Sequence, residues 1–118
     1  EVKAHLLALV TAGAARLQQG ASALDTVEWA VAALEASGLY VAGRGSAPNR
    51  AGVVEFDAAI MDGSIPRAGA VAAIRNVRSA VAAARAVLDR TPHVLLAGEG
   101  ATAFAREAGL PAIGDDPG

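Results

Sequence analysis

Apolar residues recur along the chain at two periods, and the changes of period divide it into elements. In EVKAHLLALVTAGAARLQQG (1–20), Val2, Leu6, Leu9, Val10 and Leu17 follow helical spacing, which predicts an amphipathic helix stopped at Gly20. Gly13 falls on the same face and admits a close neighbour. A second helix is predicted to start at Ser22, a capping residue with Asp25 in the first turn, and to end at Gly38. Its apolar stripe reads Val27, Ala30, Val31 and Leu34. The stretch from Gly38 to Gly52 has no period and holds four glycines, a proline and Asn49. A loop this long and this permissive in φ points to a functional segment more than to a minimal connection.

Alternation takes over in GVVEFDAAIMDG (52–63). In a strand from Val53 to Met61, Val53, Glu55 and Asp57 share one side, and Val54, Phe56, Ala58, Ile60 and then Asp62 share the other. A carboxylate among apolar neighbours is costly unless it is paired, so these acids demand partners. A second strand, Ala68 to Ile74, follows the turn signals Asp62-Gly63 and Pro66, which together predict a hairpin. Ser79 to Arg90 reads as a helix with Val81, Ala84, Arg85 and Leu88 roughly on one face, leaving Arg85 half buried. HVLLAG (93–98) reads as a short buried strand, and Glu99 to Ala108 as a last helix stopped by Gly109. Residues 111–118 have no period and read as the start of a flexible linker, so the folded part is 1–110. The order ααββαβα predicts an α+β arrangement of sheet and helix layers. So few strands do not make a comfortable sheet, and the chain reads as part of a larger fold.

Composition sharpens this picture mainly by exclusion. With 118 residues, 53% hydrophobic and only 3% aromatic, one domain must pack through small aliphatic side chains. A formal net charge of −2 gives no electrostatic case for nucleic acid or anionic membrane. The absence of cysteine removes disulfide and thiolate chemistry and fits a reducing, cytoplasmic location. No signal peptide is visible, and no apolar run nears the roughly 20 residues that span a bilayer.

Candidate chemistry is sparse. His5 and His93 lie far apart, without the spacing of a zinc site. Ser46, His93 and Asp57 have the letters of a triad, but no Gly-x-Ser-x-Gly elbow supports it. The glycines of LLAGEGATAF (95–104) suit close strand–helix packing better than phosphate binding, since neither GxGxxG nor a Walker lysine is present. Arg75, Arg78 and Arg85 read as surface charge, with no aromatics interleaved for base stacking. Glu55, Asp57 and Asp62 suit either acid–base work or structural ion pairs. The loop from Leu34 to Gly45 has a glycine-tolerant path that a carbonyl-ligated cation could use, though from composition alone it is simply a loop.

Several segments, in order, resemble one family. They are ASALDTVEWAVAALE (21–35), GLYVAGRGS (38–46), VEFDAAIMDG (54–63), RAGAVAAI (67–74) and VAAARAVLDRTPHVLLAGEGATAFAREAGL (81–110). The family is the plant-type L-asparaginases, or isoaspartyl peptidases, among the N-terminal-nucleophile hydrolases. The glycosylasparaginases share the pattern around FDAAIMDG, while the AGRG and PHVLL details favour the isoaspartyl peptidase branch. The resemblance implies a four-layer αββα sandwich of which this chain supplies the α-subunit part. It implies a precursor that cuts itself into α and β subunits. The nucleophile is then the N-terminal threonine of β, so no catalytic residue is expected in this chain. Attack on an amide carbonyl through an acyl-enzyme would release aspartate from β-aspartyl dipeptides or ammonia from L-asparagine. A second αβ unit would complete an (αβ)2 heterotetramer. No organic cofactor is implied.

The resemblance also implies a structural sodium ion on the main-chain carbonyls of Leu34, Glu35, Ser37, Tyr40, Ala42 and Arg44. Val41, Arg44, Asp57 and Asp62 are expected near the active site as supports. Val41 departs from the asparagine that many members carry there, leaving Arg44, Ser46 or Asn49 to compensate. The glycine-rich strand that opens family members, with its His-Gly-Gly motif, has no counterpart before Glu1. Two other readings stay open: a glycosylasparaginase-like amidase, and a non-catalytic α/β small-molecule binding module.

Overall fold

The computed structural model describes residues 1–115. Two helices, α1 (Val2–Gln18) and α2 (Ala23–Ser37), precede a hairpin of β1 (Phe56–Asp62) and β2 (Arg67–Ile74). Helix α3 (Ala80–Arg90), strand β3 (Leu95–Ala97) and helix α4 (Gly98–Glu107) follow. The sheet runs β1-β2-β3, with β1 antiparallel to β2 and β3 parallel to it. Parallel neighbours need a crossover, and α3 supplies it.

Local chemistry sets the element ends. Ser22 Oγ accepts from Asp25 N at 3.0 Å to open α2, and Gly38, at φ 74°, closes it in the left-handed region. Ser79 Oγ accepts from Ala82 N at 3.2 Å to open α3. Strand β1 begins at Phe56, not at Val53. Asn49 explains the delay: its Oδ1 accepts from Ala51 N at 2.9 Å and Val53 N at 3.0 Å, and its Nδ2 donates to Glu55 at 2.9 Å. These bonds fold residues 49–53 into a closed turn before pairing can start. From Phe56 onward the alternation holds, with Phe56 and Ile60 buried and Asp57 and Met61 exposed.

One irregularity breaks the hairpin ladder. Phe56 stands opposite Ile74 but Ala58 opposite Val71, so β2 carries an extra residue. That is a β-bulge, and Ala73 within it takes φ 52°, a left-handed conformation rare for a residue with a Cβ. Asp57 Oδ1 accepts from Ala73 N at 2.8 Å and holds the bulge in place.

The core lies between one face of the sheet and helices α3 and α4. Ile74, Val71, Val81 and Val87 are the largest fully enclosed side chains. Helix α3 buries Ala80, Val81, Ala83, Ala84, Ala86, Val87 and Leu88, so it is apolar on most sides and sits centrally. Gly69 lets it lie directly on β2: a Cβ there would strike the Ala84 carbonyl and come within 2.6 Å of Leu88 N. Ala101 and Ala105 dock α4 on the same core, in keeping with close strand–helix packing around the 95–104 glycines.

Two burial expectations are corrected. On α2, Val27 and Val31 are exposed, whereas Thr26 and Glu35 are buried and Leu24 and Ala32 pack on the core. The helix turns its polar edge to α3 because Arg85, inside that contact, draws Asp25 and Glu28 toward it. Strand β3 is also less covered than expected, with Leu95 54% exposed and only Leu96 against the core. Helix α1 buries no residue; it touches α2 where Gly13 meets Trp29, with the Arg16 guanidinium 4.2 Å above the indole ring.

Gly69→Ala is expected to destabilise the full-length protein by about 1–3 kcal/mol, the usual cost of forcing atoms into a packed contact. Urea unfolding measures it.

Candidate functional site

The site is built on the end of α2. Past Gly38 the chain folds back in a short 3-10 turn, Gly43–Gly45, against the helix terminus. The approach is close enough to require glycine. A Cβ on Gly43 would lie 2.5 Å from the Glu35 carbonyl oxygen, and one on Gly45 would strike the Tyr40 carbonyl and come within 3.1 Å of that of Gly38. Gly45 N donates to Ala42 O at 3.0 Å, and Ser37 Oγ donates to Leu34 O at 2.9 Å. Each of these carbonyls keeps a second lone pair. Tyr40 fastens the loop to α1 through its hydroxyl, 3.0 Å from His5 Nδ1.

The same helix end carries a buried carboxylate. Glu35, 4% exposed, accepts from Ser79 Oγ at 2.6 Å, Ala80 N at 3.0 Å and Val81 N at 3.2 Å. Those amides are the unsatisfied donors of the α3 N-terminus, where the helix dipole also favours negative charge. The acid is supplied from outside α3, whose own first turn contains none. Sequence reading assigned Glu35 only a carbonyl role. The available signal was a Ser-capped, core-facing helix with no acid in its first turn.

Between the loop and β1 lies a hollow of about 400 Å³, lined among others by Val41, Gly43, Ser46, Glu55 and Asp57. Val41 is 84% exposed beside it. Arg44 lines an adjoining hollow with Glu35, Phe56 and Arg78. The structure thus brings Val41 and Asp57 together, with Arg44 next to them. Asp62 lies at the other end of β1, where it accepts from Ser64 N at 2.9 Å and Ser64 Oγ at 2.6 Å and shapes the hairpin turn. The triad letters do not assemble: Asp57 is bonded to Ala73 N, and His93 does not line this hollow. Among the described residues, no group of three or more His, Cys, Asp or Glu side chains could hold a metal ion.

Glu55, Asp25, Glu28 and Asp89 have arginine partners. Glu55 accepts from Arg75 Nε at 3.2 Å and Nη2 at 3.1 Å. Arg85 forks to Asp25 at 2.8 Å, Glu28 at 2.9 Å and Asp89 at 2.9 Å, tying α2 to α3. Hydrogen bonding from Arg85 holds the Asp25 carboxyl below its ordinary range, and the Asp25 bond pushes Arg85 further up. Hydrogen bonds from Ser64 lower Asp62 in the same way. Arg78 differs: its Nε is buried with no acceptor among the described residues.

Fold and site together define an α+β unit with one covered sheet face and a glycine-dependent loop packed on the end of α2. The sequence profile described as asparaginase matches residues 1–116. The chain is 47% identical over 108 residues to the isoaspartyl peptidase of Salmonella typhimurium, covering 92% of this chain and 34% of that protein. It is 52% identical over 111 residues to the plant-type L-asparaginase of Pyrobaculum calidifontis, covering 94% of this chain and 37% of that one. Against the isoaspartyl peptidase/L-asparaginase of Xenopus laevis it is 48% identical over 97 residues, 82% of this chain and 31% of the relative. The chain belongs to the asparaginase family. It spans about a third of the length of the curated relatives it matches.

A pH dependence follows from the lowered carboxyls. Their folded-state values lie below the unfolded ones, so the unfolded chain binds more protons as pH drops. The stability they contribute is present above about pH 4 and lost as pH falls through the folded values. Asp25→Asn should lower stability at neutral pH and flatten the acid-side loss, read by chemical unfolding of the full-length protein from pH 7 downward.

Proposed function

We propose that this chain is the α part of an autoprocessed threonine hydrolase that cleaves β-aspartyl dipeptides or L-asparagine. The observation that carries the reading is the family match over residues 1–116 on a chain about a third as long as its relatives. The uncovered sheet face supports it: Asp57, Ala59 and Met61 of β1 and Leu95 of β3 stand exposed where a second sheet would pack. That second sheet, from the β part of the same precursor, completes the αββα sandwich, and two such units form the (αβ)2 heterotetramer.

The chemistry then belongs to the β chain. Its N-terminal threonine hydroxyl attacks the side-chain carbonyl of the substrate while the free α-amine takes the hydroxyl proton. The tetrahedral adduct, held by oxyanion donors, expels ammonia or the dipeptide's amine as that proton is returned. Water then cleaves the ester and releases aspartate. The present chain works by positioning. Asp57 fixes the β2 bulge beside the hollow, and Val41 presents an apolar side chain there that cannot hydrogen-bond the substrate.

The loop fits a sodium ion. The Glu35, Gly38 and Tyr40 carbonyls gather around Gly43 and Gly45, and gathered main-chain oxygens are the ligands such a cation takes. Carbonyls of Leu34, Glu35, Ser37, Tyr40, Ala42 and Arg44 would hold it, and it would stiffen the loop. Carbonyl ligation is indifferent to side-chain identity, so the chemistry of the donor set suits the ion.

The test is incubation of the full-length protein with β-aspartyl dipeptides, with asparagine and with an Asn-linked sugar. Release of aspartate or ammonia from the first two is expected. Cleavage of the sugar substrate alone would move the assignment to a glycosylasparaginase, and ligand binding without turnover to a binding module.

A further inference from the structure

Glu35 faces two ways. Its main-chain carbonyl lies against Gly43 in the loop, while its carboxylate receives Ser79 Oγ, Ala80 N and Val81 N at the start of α3. Ser79 extends the contact inward, since the hydroxyl that donates to Glu35 also accepts from Ala82 N. The first turn of α3 contains no acid of its own, and among the described residues Glu35 is the acid hydrogen-bonded to this helix end. The backbone of one residue thus belongs to the loop and its side chain to the central core helix.

We infer that Glu35 couples cation occupancy of the 34–45 loop to the docking of α3. The inference rests on the cation reading of that loop and goes beyond it by assigning a positioning role to a side chain. A cation that draws in the Glu35 carbonyl fixes the backbone from which the carboxylate reaches α3. Opening of the α3 N-terminus then disturbs the cation site, and the two equilibria are linked with reciprocal effects. The same helix carries Val81, Val87 and Leu88 into the core, so the ion's influence extends to the sheet.

Amide hydrogen exchange on the full-length protein tests it, comparing sodium chloride with choline chloride at constant ionic strength. With sodium at ten times its Kd, exchange at Ala80 and Val81 should slow about tenfold, in step with Gly45 and Ser46. In Glu35→Ala, sodium should still slow Gly45 and Ser46 but leave Ala80 and Val81 unchanged. Glu35→Gln, which keeps an acceptor oxygen, should restore part of the response. If Glu35→Ala does not fold, Ser79→Ala replaces it and should weaken the sodium response at Ala80 and Val81 while sparing Ser46. Equal sodium responses at Ala80 and Val81 in the native and substituted proteins would overturn the coupling alone. No sodium response at Gly45 and Ser46 in the native protein would overturn the cation reading and the coupling with it.

Discussion

A buried carboxylate lent by one helix to the N-terminus of another organises this chain. Glu35 lies in the last turn of α2, yet its oxygens are committed to Ser79, Ala80 and Val81. A charge that is 4% exposed is tolerable only with strong donors around it, and a helix N-terminus is such a set. The bond joins the last turn of α2 to the start of α3, and the Arg85 fork to Asp25, Glu28 and Asp89 adds a second link between the two helices. Once α3 is placed, Gly69 lets β2 lie against it and the hairpin follows. The loop, folded over the Glu35 backbone, inherits its position from the same residue.

The other governing constraint is what remains uncovered. A three-stranded sheet with helices on one face leaves Met61 at 63% and Leu95 at 54% exposure on the other. Large apolar side chains grouped on a sheet face mark a surface that expects a covering layer. The proposed function gives that layer a source, the β part of the same precursor, and the family match with coverage of about a third of each relative supports it. Val41 and Asp57 border a hollow on the loop side of β1, while Asp62 sits at the hairpin turn at its far end.

Much of the architecture was legible in the sequence because local chemistry wrote it. Ser22, Gly38 and Ser79 cap where capping rules place them, and the Phe56–Asp62 alternation survives intact. The failures share a cause, namely partners distant in sequence. Val53 to Glu55 look like strand until Asn49 closes the turn beneath them. Val27 and Val31 look like the buried stripe of α2 until Arg85, on another helix, turns the polar edge inward. Arg85 was expected half buried, and its side chain is 21% exposed. The acids of β1 were legible as needing partners, but only the fold names them: Arg75 and Asn49 for Glu55, Ala73 N for Asp57, Ser64 for Asp62. The site was legible through its loop and its family resemblance, not through Glu35, whose partners lie more than forty positions away. The reading of residues 111–118 as a linker falls partly outside the described residues; within them, Pro111 O accepts from Arg78 N at 3.0 Å and Ile113–Asp115 form a 3-10 turn.

Denaturing intact-mass measurement of the purified full-length protein, with N-terminal sequencing of every species, tests the central claim most directly. Two chains from one precursor, the second beginning with threonine, are the predicted result. A single uncut polypeptide that is stable and folded would contradict it.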